Sequence, residues 1–385
     1  MRREKAILME QKSVASPKVL YLLPYSESDS VHGGIIRARE IQQKLTANKV
    51  DVEVIKLLDL NYSAIETNFK HTLPREIAGD LDLLNRNFHL VERDLTTFDF
   101  IIFEQPWSWN EVKRLKEKNP HLKLIYSSQN IEWKLKEIIF RKYLGSSALE
   151  YAIKIRDLEI EIAQTVDFML TVSSIDQSWY ANYTKRIPLL LPNGTSLKAT
   201  EHFELRTRKN NYGVVVGSAH PPNIEGCLKY LEDLELWMPA QRSIVVVGSL
   251  AQALERNWGG IRNRWQAVCV TLIPSASDEE LKTWIYNSSV VLLPIAYGGG
   301  TNLKTAEALA SNKPIVASQS AFRGYEDFAK LEGVHVAKNS LDFKIKTIAS
   351  LTATGEKTIE RDTTSLLWEN TLNPIIQLLI GNANV

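Results

Sequence analysis

Three successive glycines, Gly298-Gly299-Gly300, lead through Thr301 and Asn302 into Leu303-Lys304-Thr305-Ala306-Glu307-Ala308-Leu309-Ala310, a run of good helix formers. Glycines at a helix start let a ligand approach backbone N–H groups closely. The helix dipole adds partial positive charge at the same place, which makes an anion site. Lys304, in the first turn, can supply a full charge to a phosphate. Glu307 follows three positions later on the same face, and its carboxylate can accept two hydrogen bonds from a ribose diol. The same residues also read as a surface Lys–Glu pair behind a flexible loop. Two further loops have suitable residue types. Pro24 to Gly34 ends in His32-Gly33-Gly34 and is followed by Arg37, which either faces a cleft or lies solvated on the surface. Gly217 to Asn223 offers Ser218 and His220, with Asn223 as a candidate helix N-cap. Trp107-Ser108-Trp109 suits either a sugar-stacking platform or plain packing. Asp80-Leu81-Asp82 matches a metal-binding DxD, but within a helical pattern residues two apart do not converge. It reads as surface charge, and no metal site is expected.

All three loops follow strand-like runs. In the first half these are Val19–Leu23, Val50–Leu58, Phe98–Phe103, Leu122–Tyr126, Phe168–Val172 and Ile187–Leu191. Continuous apolar, β-rich runs suit strands buried on both faces. Amphipathic segments such as Ile35–Leu45 and Trp133–Tyr143 lie between them, giving the βαβ rhythm of a parallel sheet wrapped by helices. The rhythm breaks at Leu191-Pro192-Asn193-Gly194, a turn signal, and at the polar stretch Lys198–Asn211. It restarts with Tyr212–Val216, Ile244–Val247, Val268–Ile273, Val290–Leu293 and Pro314–Ala317. Helices are predicted over Ile224–Met238, Asp278–Asn287 and Asn302–Ser311, and a last one over Thr364–Ile380. The pattern gives an α/β chain with two Rossmann-like halves. The predicted divisions are a flexible tail over 1–17, a first domain over 18–194, a second over 195–363, and a C-terminal helix over 364–385. In open α/β sheets ligands bind beyond the carboxyl ends of the strands, so two facing sheets place a cleft between the domains.

The whole-chain properties agree with this. At 385 residues, two domains are the natural expectation, and 44% hydrophobic with 24% charged residues is ordinary for a globular protein. A net charge of +1 gives no reason to expect nucleic acid as a partner. The two cysteines, Cys227 and Cys269, fit neither a disulfide framework nor a Cys-ligated zinc site. No apolar stretch is long enough to span a bilayer, and Met1–Pro17 lacks the apolar core of a secretory signal. A cytoplasmic protein is the expectation. The basic-aromatic stretch Trp133–Tyr143 leaves peripheral contact with the inner face of a membrane open beside an ordinary amphipathic helix.

The motifs, in this order, resemble those of the GT-B glycosyltransferases, in particular the retaining family 4 group. Val31-His32-Gly33-Gly34 is similar to that family's acceptor-side glycine loop, and Ser128-Gln129-Asn130-Ile131-Glu132 to its His-Asn-x-Glu segment. Leu191-Pro192-Asn193-Gly194-Thr195 resembles the interdomain Pro-Asn-Gly, and Val215-Val216-Gly217-Ser218 with Pro222-Asn223 the start of the donor domain. Leu292 through Gly300, Lys304, Glu307–Ala310, Lys313–Ala317 and Ala321–Gly324 resemble the donor-site core. The resemblance covers about residues 18 to 380. It implies a GT-B fold, two Rossmann-like domains facing across a cleft, and metal-independent transfer of a sugar, with retention, from a nucleoside diphosphate sugar to a hydroxyl of a carbohydrate or lipid-linked acceptor. It implies donor contacts at Gly217, Ser218, Gly298, Gly299, Gly300, Thr301, Asn302, Lys304 and Glu307, with Lys304 and Glu307 catalytic. It implies an acceptor side formed by Gly33, Gly34, Arg37, Gln129 and Asn130. Glu307 matches the second glutamate of the family's Glu-x7-Glu pair, whereas Gly299 stands at the first, whose partner is the donor sugar. Ser218–Pro222 lacks the family's usual cations, and Gln129 stands where many relatives have His. These departures also fit a catalytically inactive, GT-B-shaped binding or scaffold subunit.

Overall fold

The computed structural model describes residues 16–26, 33–59, 62–64, 86–88, 90, 94–197, 211–257, 270–353 and 359–382. The tail up to residue 15, His32, Asp80–Asp82, Cys269 and most of Lys198–Asn211 lie outside the described residues.

The first domain holds strands β1 (Lys18–Leu23), β2 (Asp51–Lys56), β5 (Phe100–Glu104), β6 (Lys123–Ser127), β7 (Phe168–Thr171) and β8 (Leu189–Leu190). They form one parallel sheet in the order β2-β1-β5-β6-β7-β8. A small antiparallel pair, β3 (Tyr62–Ala64) and β4 (Arg86–Phe88), stands apart. The helices are α1 (Gly33–Ala47), α2 (Trp109–Lys118), α3 (Glu132–Leu144), α4 (Ala148–Thr165) and α5 (Ser174–Tyr180). The strands are apolar throughout because both faces are covered. Ile101, Phe103, Leu124 and Tyr126 pack into one layer with α2 and α4. Tyr21, Phe100, Ile102 and Ile125 pack into the other with Ala38 and Ile41 of α1. Trp109 belongs to the first layer, 1% exposed and stacked on Phe103 at 5.9 Å, and Trp107 is buried against Leu135 and Phe140. The Trp-Ser-Trp segment is therefore core packing.

The second domain repeats the plan with β9 (Tyr212–Val216), β10 (Ser243–Val247), β11 (Val270–Ile273), β12 (Val290–Leu293), β13 (Ile315–Ser318) and β14 (Val334–Ala337). These run parallel in the order β11-β10-β9-β12-β13-β14. Its helices are α6 (Pro221–Tyr230), α7 (Leu234–Trp237), α8 (Ser249–Asn257), α9 (Asp278–Tyr286), α10 (Leu303–Ala310) and α11 (Ser340–Thr352). The chain order reverses between β9 and β12, so the loops after these two strands flank a crevice at the carboxyl ends of the sheet. These are the loops at Gly217 and Gly298. In the first sheet the reversal lies between β1 and β5, which brings the loops after Leu23 and Glu104 together.

Several sequence-based boundaries are corrected. The helix predicted over Ile224–Met238 starts earlier, at Pro221, with His220 as N-cap, because two prolines fit the first turn, where N–H groups are not needed. Asn223 is thus inside α6, where its side chain donates to Ser218 O at 2.9 Å and Ser218 Oγ at 3.2 Å. The same predicted helix is interrupted before α7 by Asp233, which adopts a left-handed conformation with φ 52°. The last predicted helix splits into α12 (Trp368–Thr371) and α13 (Asn373–Asn382). Pro374 cannot donate the bond that a continuous helix would need. Trp368, Leu372, Ile375 and Leu379 of this segment pack against Val19, Tyr21 and Ile41 of the first domain. Among the described residues no helix is long and apolar enough to cross a membrane.

Candidate active site

The strand β12 delivers the glycine loop. Pro294 ends the strand, and Arg323, arriving from the loop after β13, fixes the glycines. Its guanidinium donates to Gly299 O at 2.7 Å, Gly300 O at 3.1 Å and Ser320 O at 2.7 Å. A trans peptide sets its C=O and N–H on opposite sides. With these carbonyls turned to Arg323, the N–H groups of Gly300 and Thr301 point away from it. Asn302 then caps α10, its Oδ1 accepting from Lys304 N–H at 3.2 Å. The Asn302 side chain is thereby committed to the helix, and so is Ser218 to Asn223.

Lys304 and Glu307 occupy the first two turns of α10. Both lie deep in the protein, yet each keeps part of its surface open. They do not form the surface ion pair that their spacing allows. Among the described residues the Lys304 ammonium makes neither a hydrogen bond nor an ion pair, and only the nearby Glu307 charge favours its protonated form. Burial therefore holds its pKa below the ordinary lysine value. Burial likewise raises the pKa of Glu307, against the pull of Lys304, while Asp278 adds to the rise. A desolvated cation without a partner is unfavourable. An anion placed beside it recovers that energy.

The first domain closes on this loop through the segment after β6. A side chain on Gly299 would press on Asn130 at 3.0 Å, and one on Gly300 would run into the Gln129 carbonyl oxygen. Gly300 also holds φ at 56°, where a side chain is strained. The two glycines are thus needed for the contact between the domains. Asn130 occupies the space that a glutamate at position 299 would need. The segment itself is held rigidly. Ser128 Oγ donates to Asn130 O at 2.6 Å and Asn130 Nδ2 to Glu132 Oε1 at 2.9 Å. Glu159 accepts from the N–H groups of Glu132 and Trp133 at 2.9 and 3.1 Å. Farther out, Lys142 pairs across the cleft with Glu225 and donates to Tyr297 OH at 3.1 Å. That contact, together with the Arg141–Glu137 pair, neutralises much of the basic character of α3. Ile138, Tyr143, Leu149 and Ile153 are exposed on α3 and α4.

Arg37 and Gln129, two residues expected on the acceptor side, join a polar cluster around the buried Glu104. Gly33 lies against Leu303 of the second domain. Arg37 is 1% exposed, which removes the solvated reading, and its Nη1 donates to Asn193 Oδ1 at 2.9 Å. Gln129 Nε2 donates to Glu104 Oε2 and to Tyr25 OH, both at 2.8 Å, and Tyr21 OH donates to Glu104 Oε1 at 2.5 Å. Tyr325 of the second domain donates to Asn193 O at 3.0 Å. Sequence reasoning missed Glu104 and Tyr325, and it gave no individual role to Tyr25 or Arg323, although both lie in segments it singled out. Glu104 alone left a signal: a carboxylate ending an otherwise apolar, buried strand at the reversal of chain order.

Asp176 belongs to the same interface. It is buried, accepts from Ser173 Oγ at 2.8 Å and senses the Arg323 charge. Burial pushes its carboxyl up to about 6, against the hydrogen bond from Ser173 and the field of Arg323. Its folded pKa lies above the unfolded value, so the folded state holds the proton more tightly. The stability it contributes is present below about pH 4 and is lost as pH rises through about 6. The free energy of unfolding in urea should therefore fall from pH 4 to pH 7, and Asp176→Asn should flatten that slope. A wild-type slope that Asp176→Asn leaves intact would reject this assignment.

The architecture and its cleft are those of the GT-B class. Sucrose-phosphate synthase from Thermosynechococcus elongatus superposes with a TM-score of 0.68 at 16% identity, over 95% of this chain and 98% of that one. Trehalose 6-phosphate synthase from Burkholderia multivorans gives 0.62 at 10% identity, over 96% and 99%. Anabaena HepE, solved with UDP and glucose, gives 0.56 at 14% identity, over 95% and 100%. At such identities the likeness establishes the fold. The second domain carries the family signal: residues 210–352 match the family described as Glycosyl transferases group 1. No curated protein matches the chain in sequence.

Proposed function

We propose that the protein is a glycosyltransferase that moves a sugar from a nucleoside diphosphate sugar to a hydroxyl acceptor, with retention at the anomeric carbon, in the biosynthesis of a polysaccharide, glycolipid or glycoconjugate. The observation that carries this reading is Lys304: a desolvated, partly open cation without a hydrogen-bond or ion-pair partner among the described residues, in the first turn of the helix that follows the glycine loop. The difficult step in such a transfer is departure of the diphosphate. Positive charge fixed in advance, in a site shielded from water, lowers that barrier. In this reading Lys304, the Gly300 and Thr301 amides and the start of α10 supply the charge, so the reaction is metal-independent. Glu307 accepts from the ribose hydroxyls. The acceptor enters from the first domain, past Gly33, Gly34, Gln129 and Asn130. The family match over 210–352 supports the donor-side assignment.

The test is a panel of nucleotide sugars screened for thermal stabilisation, followed by NMR of the product anomer. A bound donor should stabilise by about 2.7 kcal/mol at a hundredfold excess over its dissociation constant. A panel without any stabilising member would overturn the reading in favour of a GT-B-shaped scaffold. An inverted product would overturn retention alone.

A further inference from the structure

Arg37 has a geometry that neither the fold nor the donor site requires. Its Nη1 is committed to Asn193, but its Nε and Nη2 are buried and have no hydrogen-bond partner. These two N–H groups form one planar edge of the guanidinium, the edge that matches the two oxygens of a carboxylate or phosphate. Glu104 is close enough to be felt electrostatically, yet its carboxylate is occupied by Tyr21 and Gln129 instead. Ser127, paired in register with Glu104, is fully buried, and its hydroxyl also lacks a partner. Buried polar groups are nearly always satisfied. Two such groups around one cluster, at the carboxyl ends of β5 and β6, mark a place built for a ligand.

The roof of this cluster comes from the second domain. Leu303 lies against Gly33, and Tyr325 bonds to Asn193 at the crossing between domains. The cluster therefore lies where the two domains meet. We propose that Arg37 is a specificity residue that binds a two-oxygen anion, a carboxylate or a phosphate monoester, on the acceptor, assisted by Ser127. The inference rests on the acceptor side proposed above, because that assigns the first-domain cleft to the acceptor. An acidic acceptor is then held by the fork while its hydroxyl faces the donor. A neutral acceptor leaves the fork unpaired.

The test separates this site from the donor site. The full-length Lys304→Met variant is titrated with sodium phosphate and with sodium acetate, against sodium chloride at equal ionic strength, and the unfolding midpoint is followed. A saturable rise beyond chloride is expected, and the stronger of the two anions identifies the chemical class. The rise should vanish in Lys304→Met/Arg37→Met. In Lys304→Met/Arg37→Lys it should need at least tenfold more anion, because lysine lacks the fork. A response that survives Arg37→Met, or no saturable response in the Lys304→Met protein, overturns the proposal. Failure of nucleotide binding would overturn the donor reading instead and leave these measurements interpretable.

Discussion

Replacement of Lys304 by alanine is expected to lower the turnover number for sugar transfer about 100- to 1000-fold, the range found when one preorganised charge-stabilising group is removed. The reason is specific to this site. The ammonium is buried, has no partner among the described residues, and sits in the first turn of α10 beside the glycine loop. Charge that develops on a departing diphosphate meets it without competition from a protein carboxylate, since Glu307 is near but not bonded to it. The donor KM should change much less than the turnover number, because the interaction strengthens as the bond to the sugar breaks. Circular dichroism and the unfolding midpoint should be preserved or improved, since a desolvated cation is removed. Steady-state kinetics with the donor found in the screen is the measurement. Equal turnover in wild type and variant would remove Lys304 from the reaction.

The second large effect is expected at Gly300. An alanine there must adopt a strained left-handed conformation, and its methyl group would run into the Gln129 carbonyl of the opposite domain. The second domain can still fold, because that obstacle lies outside it. The variant should bind nucleoside diphosphate about tenfold more weakly, because the strained residue displaces the amide assigned to the diphosphate. Transfer should fall about 100-fold, as expected when reacting groups are misplaced by about 1 Å. Calorimetry and transfer assays on the same preparation separate the two effects. Loss of nucleotide binding in proportion to loss of transfer would mean that the glycine serves only the donor.

The donor side was legible in the sequence because its information is local. The strand, the glycines, the cap and the Lys–Glu spacing fall within about twenty residues, and a helix period joins them. The two parallel sheets were legible for a similar reason, since strands buried on both faces appear as unbroken apolar runs. The strand β14 escaped because Val-His-Val-Ala is only partly buried at a sheet edge, so its pattern is not continuous. Arg37 could not be decided from sequence: its burial depends on Asn193, Leu303 and Tyr325, which lie 156 or more positions away. The role of Arg323 was hidden for the same reason, since the groups it fixes are backbone carbonyls, which no residue type reveals. The space at Gly299 gained meaning only from the structure, where Asn130 of the first domain fills it.

In the proposed reaction the crevice between β9 and β12 holds a nucleoside diphosphate against Lys304. Isothermal titration of the full-length protein with UDP and with GDP, repeated on Lys304→Ala, tests it most directly. Saturable binding of at least one nucleotide below millimolar concentration, weakened tenfold or more in Lys304→Ala, is the expected result. No binding of either at millimolar concentration, or binding that Lys304→Ala leaves unchanged, would contradict it.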